Sequence, residues 1–161
     1  MPTLPEPFRT LDIRITNWMA KHGVLLARLS LGVIFFWFGI LKFFPGLSPA
    51  EDLASRTLER LSFGQVQQPL SLYILAGWEV LIGLGLLSGK LLRVTLLLLL
   101  LQMLGTLTPL VLFPGETFTV PPIAPTLEGQ YIIKNLVLVA AAIVVGATVR
   151  GGRLVASPMK G

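Results

Sequence analysis

Cysteine is missing from this chain of 161 residues, and histidine occurs once, as His22. Without cysteine the chain alone can host no disulfide relay, no thiolate-held iron–sulfur cluster and no covalently attached c-type haem. With one histidine it can host neither a bis-histidine haem nor a His-rich metal centre. No metal, haem or cluster is therefore expected, and any redox role must rest on a bound organic cofactor or on another subunit. Charge is scarce as well. Asp, Glu, Lys and Arg make up 13% of the residues, against about 25% in an ordinary soluble domain. What the chain has in abundance is apolar residues, 53% of the total. They are gathered in long runs, as in an integral membrane protein. The net charge of +5 raises the question of nucleic acid. The basic residues flank apolar runs rather than forming a patch, so a membrane surface suits them better and no nucleic-acid partner is expected.

Four runs, at about 24–44, 70–88, 91–113 and 131–149, each approach the length a helix needs to cross the hydrocarbon. Lipid offers no hydrogen bonds to backbone groups, so all four are read as helices. The expected fold is all-α: a single-domain, integral membrane four-helix bundle over 1–161, with tails at 1–23 and 150–161. The first run is long and lacks a small-residue cleavage site, so it is expected to act as an uncleaved signal anchor. Orientation follows from Arg9, Arg14, Lys21, Lys90, Arg93, Arg150, Arg153 and Lys160 on one side, against Arg56 and Arg60 on the other. The positive-inside rule places both termini in the cytoplasm. In the first outer loop, Ser48-Pro49-Ala50-Glu51 reads as a capping box with proline at the first helical position. An amphipathic helix follows, with Ala50, Leu53, Ala54, Thr57, Leu58 and Leu61 on one face and an end near Gly64. The proline-rich second loop, 114–130, is expected to be extended and packed. No internal repeat and no low-complexity linker is present.

Charges within the spans carry the functional signal. Glu79 lies mid-span, where a carboxylate facing lipid costs roughly 3 kcal/mol even on the mildest insertion scale. Arg28, Lys42 and Lys134 lie in other spans. In span one, Arg28, Gly32, Phe35, Gly39 and Lys42 form one helical stripe, and small residues on it favour close helix approach. Ala76, Glu79 and Gly83 form a stripe in span two, and Thr95, Gln102, Thr106 and Pro109 in span three. In span four, Lys134 aligns with Ala141, and Asn135 with Ala142 and Gly146. An outer-half pocket holding Glu79, Lys42, Gln102, Thr106 and Lys134 is expected, with Arg28 guarding or pairing Glu79 from below. Simpler readings stand beside it. Lys42 and Lys134 can snorkel to the headgroups, Gln102 and Thr106 can be interhelical glue, and Arg28 with Glu79 can be a structural ion pair that sets helix register.

These segments carry a family resemblance. RLSLGVIFFWFGILKFFP (Arg28–Pro45) and WEVLIGLGLL (Trp78–Leu87) resemble the first two spans of DoxX/DoxD-like membrane proteins. TLTPLVLF and EGQYIIKNLVLVAAA, with Thr108, Pro109, Gly129 and Lys134, resemble the YkgB-like branch. The resemblance implies a small four-helix bundle in the bacterial inner membrane, tied to quinone-linked oxidoreductases and oxidative-stress defence, sometimes alongside a soluble or membrane redox-enzyme partner. The leading expectation is a membrane subunit of such a system, binding a quinone or another small amphiphile. Glu79 would transfer protons, and Arg28, Lys42, Gln102, Thr106, Lys134 and Asn135 would bind the ligand. Sulfur chemistry within this subunit is not expected, for want of cysteine. Two alternatives remain open: a small proton-coupled transporter, which would suit a homo-oligomer, and a non-catalytic membrane anchor or assembly factor.

Overall fold

The computed structural model describes residues 6–44, 46–48 and 51–156. Helix α1 (Glu6–Leu41) is followed by α2 (Glu51–Leu61), α3 (Leu70–Ser88) and α4 (Leu92–Leu107). Two short helices, α5 (Pro109–Leu112) and α6 (Pro114–Thr117), lead to strands β1 (Phe118–Val120) and β2 (Ala124–Pro125), and α7 (Leu127–Ala147) completes the order. Four stretches are long and apolar enough to cross a membrane: Phe8–Leu41, Leu70–Ser88, Leu92–Leu112 and Leu127–Ala147. The protein is an all-α, multi-pass membrane protein. Its outward surface carries Trp37, Leu81, Leu104 and Val137, all well exposed, as a lipid environment requires.

α1 packs on α3 and α7, and α4 packs on the same two helices, so the four spans close into a ring. The apolar core within it comprises Leu31, Phe35, Ile82, Leu86, Leu96, Leu99, Met103, Ala142 and Val145. Apart from Met103, which follows Gln102 on α4, these residues come from the part of the ring nearer the termini. The loop-side half is where the charged stripes end.

Two helices start earlier than expected and one span is interrupted, each for a local reason. α1 begins at Glu6 rather than near residue 24, because neither proline nor glycine interrupts the segment between Pro7 and Gly23. Its 36 residues measure about 54 Å, well beyond the roughly 30 Å of hydrocarbon, so the segment read as a tail is helical. The third span keeps its expected extent, Leu92–Leu112, but its helix is interrupted at Thr108, before Pro109. Proline has no N–H for the ladder, and Thr108 Oγ1 donates instead to Gly105 O at 2.6 Å. α7 starts at Leu127 rather than 131, because Thr126 caps it, its Oγ1 accepting from Gly129 N at 3.2 Å.

The loop side is ordered. α2 is amphipathic as expected and packs on α3, α4 and α5. It buries Leu53, Ser55 and Thr57, while Leu61, expected on the same face, is exposed. Ser55 and Ser71 share a buried hydroxyl–hydroxyl hydrogen bond that ties α2 to α3. Of the expected capping box, Pro49 and Ala50 lie outside the described residues; Glu51 Oε2 accepts from Gly46 N at 3.0 Å. The second loop is not extended throughout. α6 gives it one helical turn, and β1 and β2 pair antiparallel, with Phe118 opposite Pro125.

Arg56 joins the two loops. Its Nε donates to Asp52 Oδ2 at 2.8 Å, its Nη1 and Nη2 donate to the two Glu116 oxygens at 2.8 and 2.5 Å, and the guanidinium lies 5.1 Å from the Phe113 ring centroid. The Arg56 hydrogen bonds hold the Glu116 carboxyl below the usual carboxylate range. Because the folded-state pKa lies below the unfolded one, this latch contributes fully above about pH 5 and is lost as pH falls through the lowered value. Hydrogen exchange at 114–117, corrected for intrinsic rates, should rise on acidification from about pH 7 to about pH 3. Glu116→Gln should show the raised exchange already at neutral pH and lose the dependence. Equal protection of the wild type at both pH values would refute the latch.

Candidate functional site

Glu79 occupies the middle of α3, with side-chain exposure of 13%. Two hydrogen-bond donors from different helices reach it. Lys42 Nζ, just past the end of α1, lies 2.7 Å from Oε2, and Gln102 Nε2, from α4, donates to Oε1 at 2.7 Å. Each carboxylate oxygen thus has one strong partner, and one of the pairs is charge-assisted.

The approach of the backbones makes this possible. A Cβ added at Gly39 would lie 2.8 Å from Val80 N, and one at Gly83 would lie 2.5 Å from Phe36 N. No side chain fits at either position, so α1 and α3 meet backbone to backbone, as small-residue stripes allow. Lys42 follows Gly39 on the same face of α1 and is carried over Glu79. On the α4 side, Trp78 Nε1 donates to Leu98 O at 3.1 Å, tying the neighbour of Glu79 to α4 one turn before Gln102.

Gln102 is fully used on one side only. Its Nε2 serves Glu79, while Oε1 is buried with no hydrogen-bond partner among the described residues. A buried amide oxygen left unpaired costs about 1–3 kcal/mol, so Gln102 Oε1 is a spare acceptor within the bundle. The cluster is therefore a cation, a carboxylate and a free acceptor, held between the middle of the bundle and its loop side.

Of the residues expected to converge, Lys42, Glu79 and Gln102 are brought together. Arg28 is not brought to Glu79. Its Nη1 donates to Leu86 O at 2.7 Å, and the guanidinium fills the space beside Gly89, the left-handed C-cap of α3. There it satisfies a helix-end carbonyl and complements the negative end of the helix dipole. The sequence placed Arg28 on the correct face, but axial depth decided its partner, because it lies level with the end of α3 rather than its middle. Thr106 Oγ1 turns back to Gln102 O at 3.0 Å within its own helix. Lys134 is exposed, with Nζ 5.6 Å from the Tyr131 ring centroid. Asn135 lies half-buried on α7. The Arg56–Glu116 pair was missed. Opposite charges in two separate loops have no shared period from which contact can be read.

A cleft of about 570 Å³ opens on the loop side, lined by Arg56, Glu59, Arg60, Phe63 and Phe113. No curated protein and no solved structure matches the chain. The DoxX family profile matches residues 23–114, more than half of the sequence and the whole of the Lys42–Glu79–Gln102 cluster, so this chain belongs to the DoxX family.

Proposed function

We propose that this DoxX-family protein is the membrane subunit of a quinone-linked redox system, with a quinone head bound against Glu79, Lys42 and Gln102. The observation that carries this reading is the unpartnered buried oxygen of Gln102 beside a partly buried Lys42–Glu79 ion pair. The donor set fits such a head: an acceptor for a hydroxyl, a cation for an oxygen that gains negative charge, and a carboxylate to handle the proton. When bound, the quinone supplies a two-electron, two-proton couple. With no cysteine and one histidine in the chain, the electrons are exchanged with a partner redox enzyme.

The chain's own residues do the rest. In its carboxylate form, Glu79 is the proton acceptor. Once it has taken up a proton, the neutral pair becomes a net positive one, and Lys42 then stabilises negative charge in a low-dielectric site. Gln102 Oε1 accepts a hydrogen bond and fixes orientation. The apolar layer from Leu31 to Val145 closes the bundle below. This favours access from one side over a path through the membrane, and so favours the redox reading over a transporter. The basic residues gathered at the terminus end support cytoplasmic termini in a bacterial inner membrane.

Purified from its own membrane in mild detergent, the protein should retain a stoichiometric quinone and a redox-enzyme partner, both identified by mass spectrometry. A preparation carrying lipids alone would overturn the proposal. Glu79→Gln should lower quinone-dependent turnover of the native membranes by about 10²–10⁴-fold. Unchanged turnover would remove Glu79 from proton transfer.

A further inference from the structure

At the terminus end of the bundle, α4 and α7 leave a groove of about 540 Å³ between them, within the roughly 300–1,000 Å³ typical of small-molecule sites. It is separate from the Glu79 cluster, with the apolar core between. Arg93, in the first turn of α4, and Arg150, just past α7, both line it, and both are exposed. Neither guanidinium has an acidic partner among the described residues. The walls are apolar: Leu96, Leu100 and Val149. Gly146 adds a stretch of wall with no side chain, where a Cβ would already touch Leu96 Cδ1 at 3.5 Å. From Arg93 to Leu100 the wall runs roughly 10 Å along the helix axis, into the depth of the span.

Two free arginines at the water-facing end of an apolar groove inside a membrane span match one chemical class. We propose that this groove holds one anionic phospholipid, its phosphate between Arg93 and Arg150 and the upper part of an acyl chain along Leu96, Leu100 and Val149. Arginine's fork of donors matches phosphate oxygens, and basic pockets between spanning helices bind anionic headgroups. A free phosphate would make no use of the apolar walls, and a zwitterionic lipid, with the same single phosphate charge, would bring an ammonium group up against two guanidinium groups. The bound lipid would bridge α4 and α7 where Leu96 and Val145 already meet in the core.

The test is native mass spectrometry of the full chain reconstituted with phosphatidylglycerol or phosphatidylethanolamine. The wild type should retain one phosphatidylglycerol per chain in preference to phosphatidylethanolamine. Arg93→Gln with Arg150→Gln should cut that retention by at least about tenfold, and Arg93→Lys with Arg150→Lys should restore part of it. Lys90→Gln with Arg153→Gln removes the same charge outside the groove and should leave retention within about threefold. An equal loss there would overturn the site in favour of a diffuse basic surface. Equal retention of both lipids by the wild type, or displacement by millimolar inorganic phosphate, would overturn an anionic lipid as the occupant. Thermal unfolding of each variant in phosphatidylethanolamine alone separates lost binding from lost folding.

Discussion

Lys42→Met should destabilise the folded protein by about 3–5 kcal/mol, and adding Glu79→Leu to it should recover most of that loss. The argument rests on what each change leaves behind. Lys42 and Glu79 are 12% and 13% exposed and 2.7 Å apart. Removing the cation alone strands a carboxylate in the bundle interior, with Gln102 Nε2 as its remaining donor. Removing both charges strands neither charge, and an apolar pair of similar volume packs in their place, while Gln102 Nε2 loses its acceptor and keeps the recovery short of complete. Reversible unfolding in detergent, followed for the wild type, both single variants and the double variant, measures the coupling as a double-mutant cycle. A Lys42→Met loss below about 1 kcal/mol would mean that the pair is effectively solvated. The double variant also divides the functional readings. A folded Lys42→Met/Glu79→Leu protein that no longer holds a quinone assigns the charges to ligand chemistry, whereas one that still recruits its partner and functions assigns them to structure.

The second large effect lies at the α1–α3 contact. Gly83→Val should destabilise the protein by about 3 kcal/mol or more, the upper end of overpacking losses. The added Cβ falls 2.5 Å from Phe36 N and 2.6 Å from Phe36 Cα. Both atoms are backbone, so no rotamer change relieves the clash and α1 must move away from α3. Glu79 sits one turn from Gly83, and Lys42 reaches it only because α1 lies close, so the same substitution should also break the ion pair. The variant should then melt lower than the wild type and lose little more stability on removal of Lys42. Gly77→Val, on the same helix where an added Cβ meets nothing within 4 Å, is the control and should stay within about 1 kcal/mol. Similar melting of the Gly83 and Gly77 variants would show that backbone contact between α1 and α3 does not govern the site.

Much of this was readable before the structure. The four apolar runs appear as four helices of spanning length, because a bilayer admits few other solutions for a chain without polar cover. The stripe of Gly32, Phe35, Gly39 and Lys42 faces α3, since helical periodicity fixes which residues share a face. The convergence of Lys42, Glu79 and Gln102 follows from those faces together with the rise per residue. Arg28 shows where this logic stops. A stripe gives direction but not depth against the partner helix, and at its depth the group within reach is the Leu86 carbonyl, not Glu79. Lys134 shows the same limit, since α7 leaves its side chain exposed and over Tyr131.

The sequence by itself determined the class of the molecule, its number of spans and the faces they turn inward. These depend on hydrophobicity and on a 3.6-residue period, both local properties of the chain. Only the tertiary structure decided which cation pairs with Glu79, that Gln102 is left with one unsatisfied oxygen, and that Arg56 clasps Glu116 across two loops. Those outcomes depend on how far one helix slides and how closely it approaches another. That is set by the steric sum of many contacts, with the Gly39–Val80 and Gly83–Phe36 approaches foremost, and no local pattern encodes it.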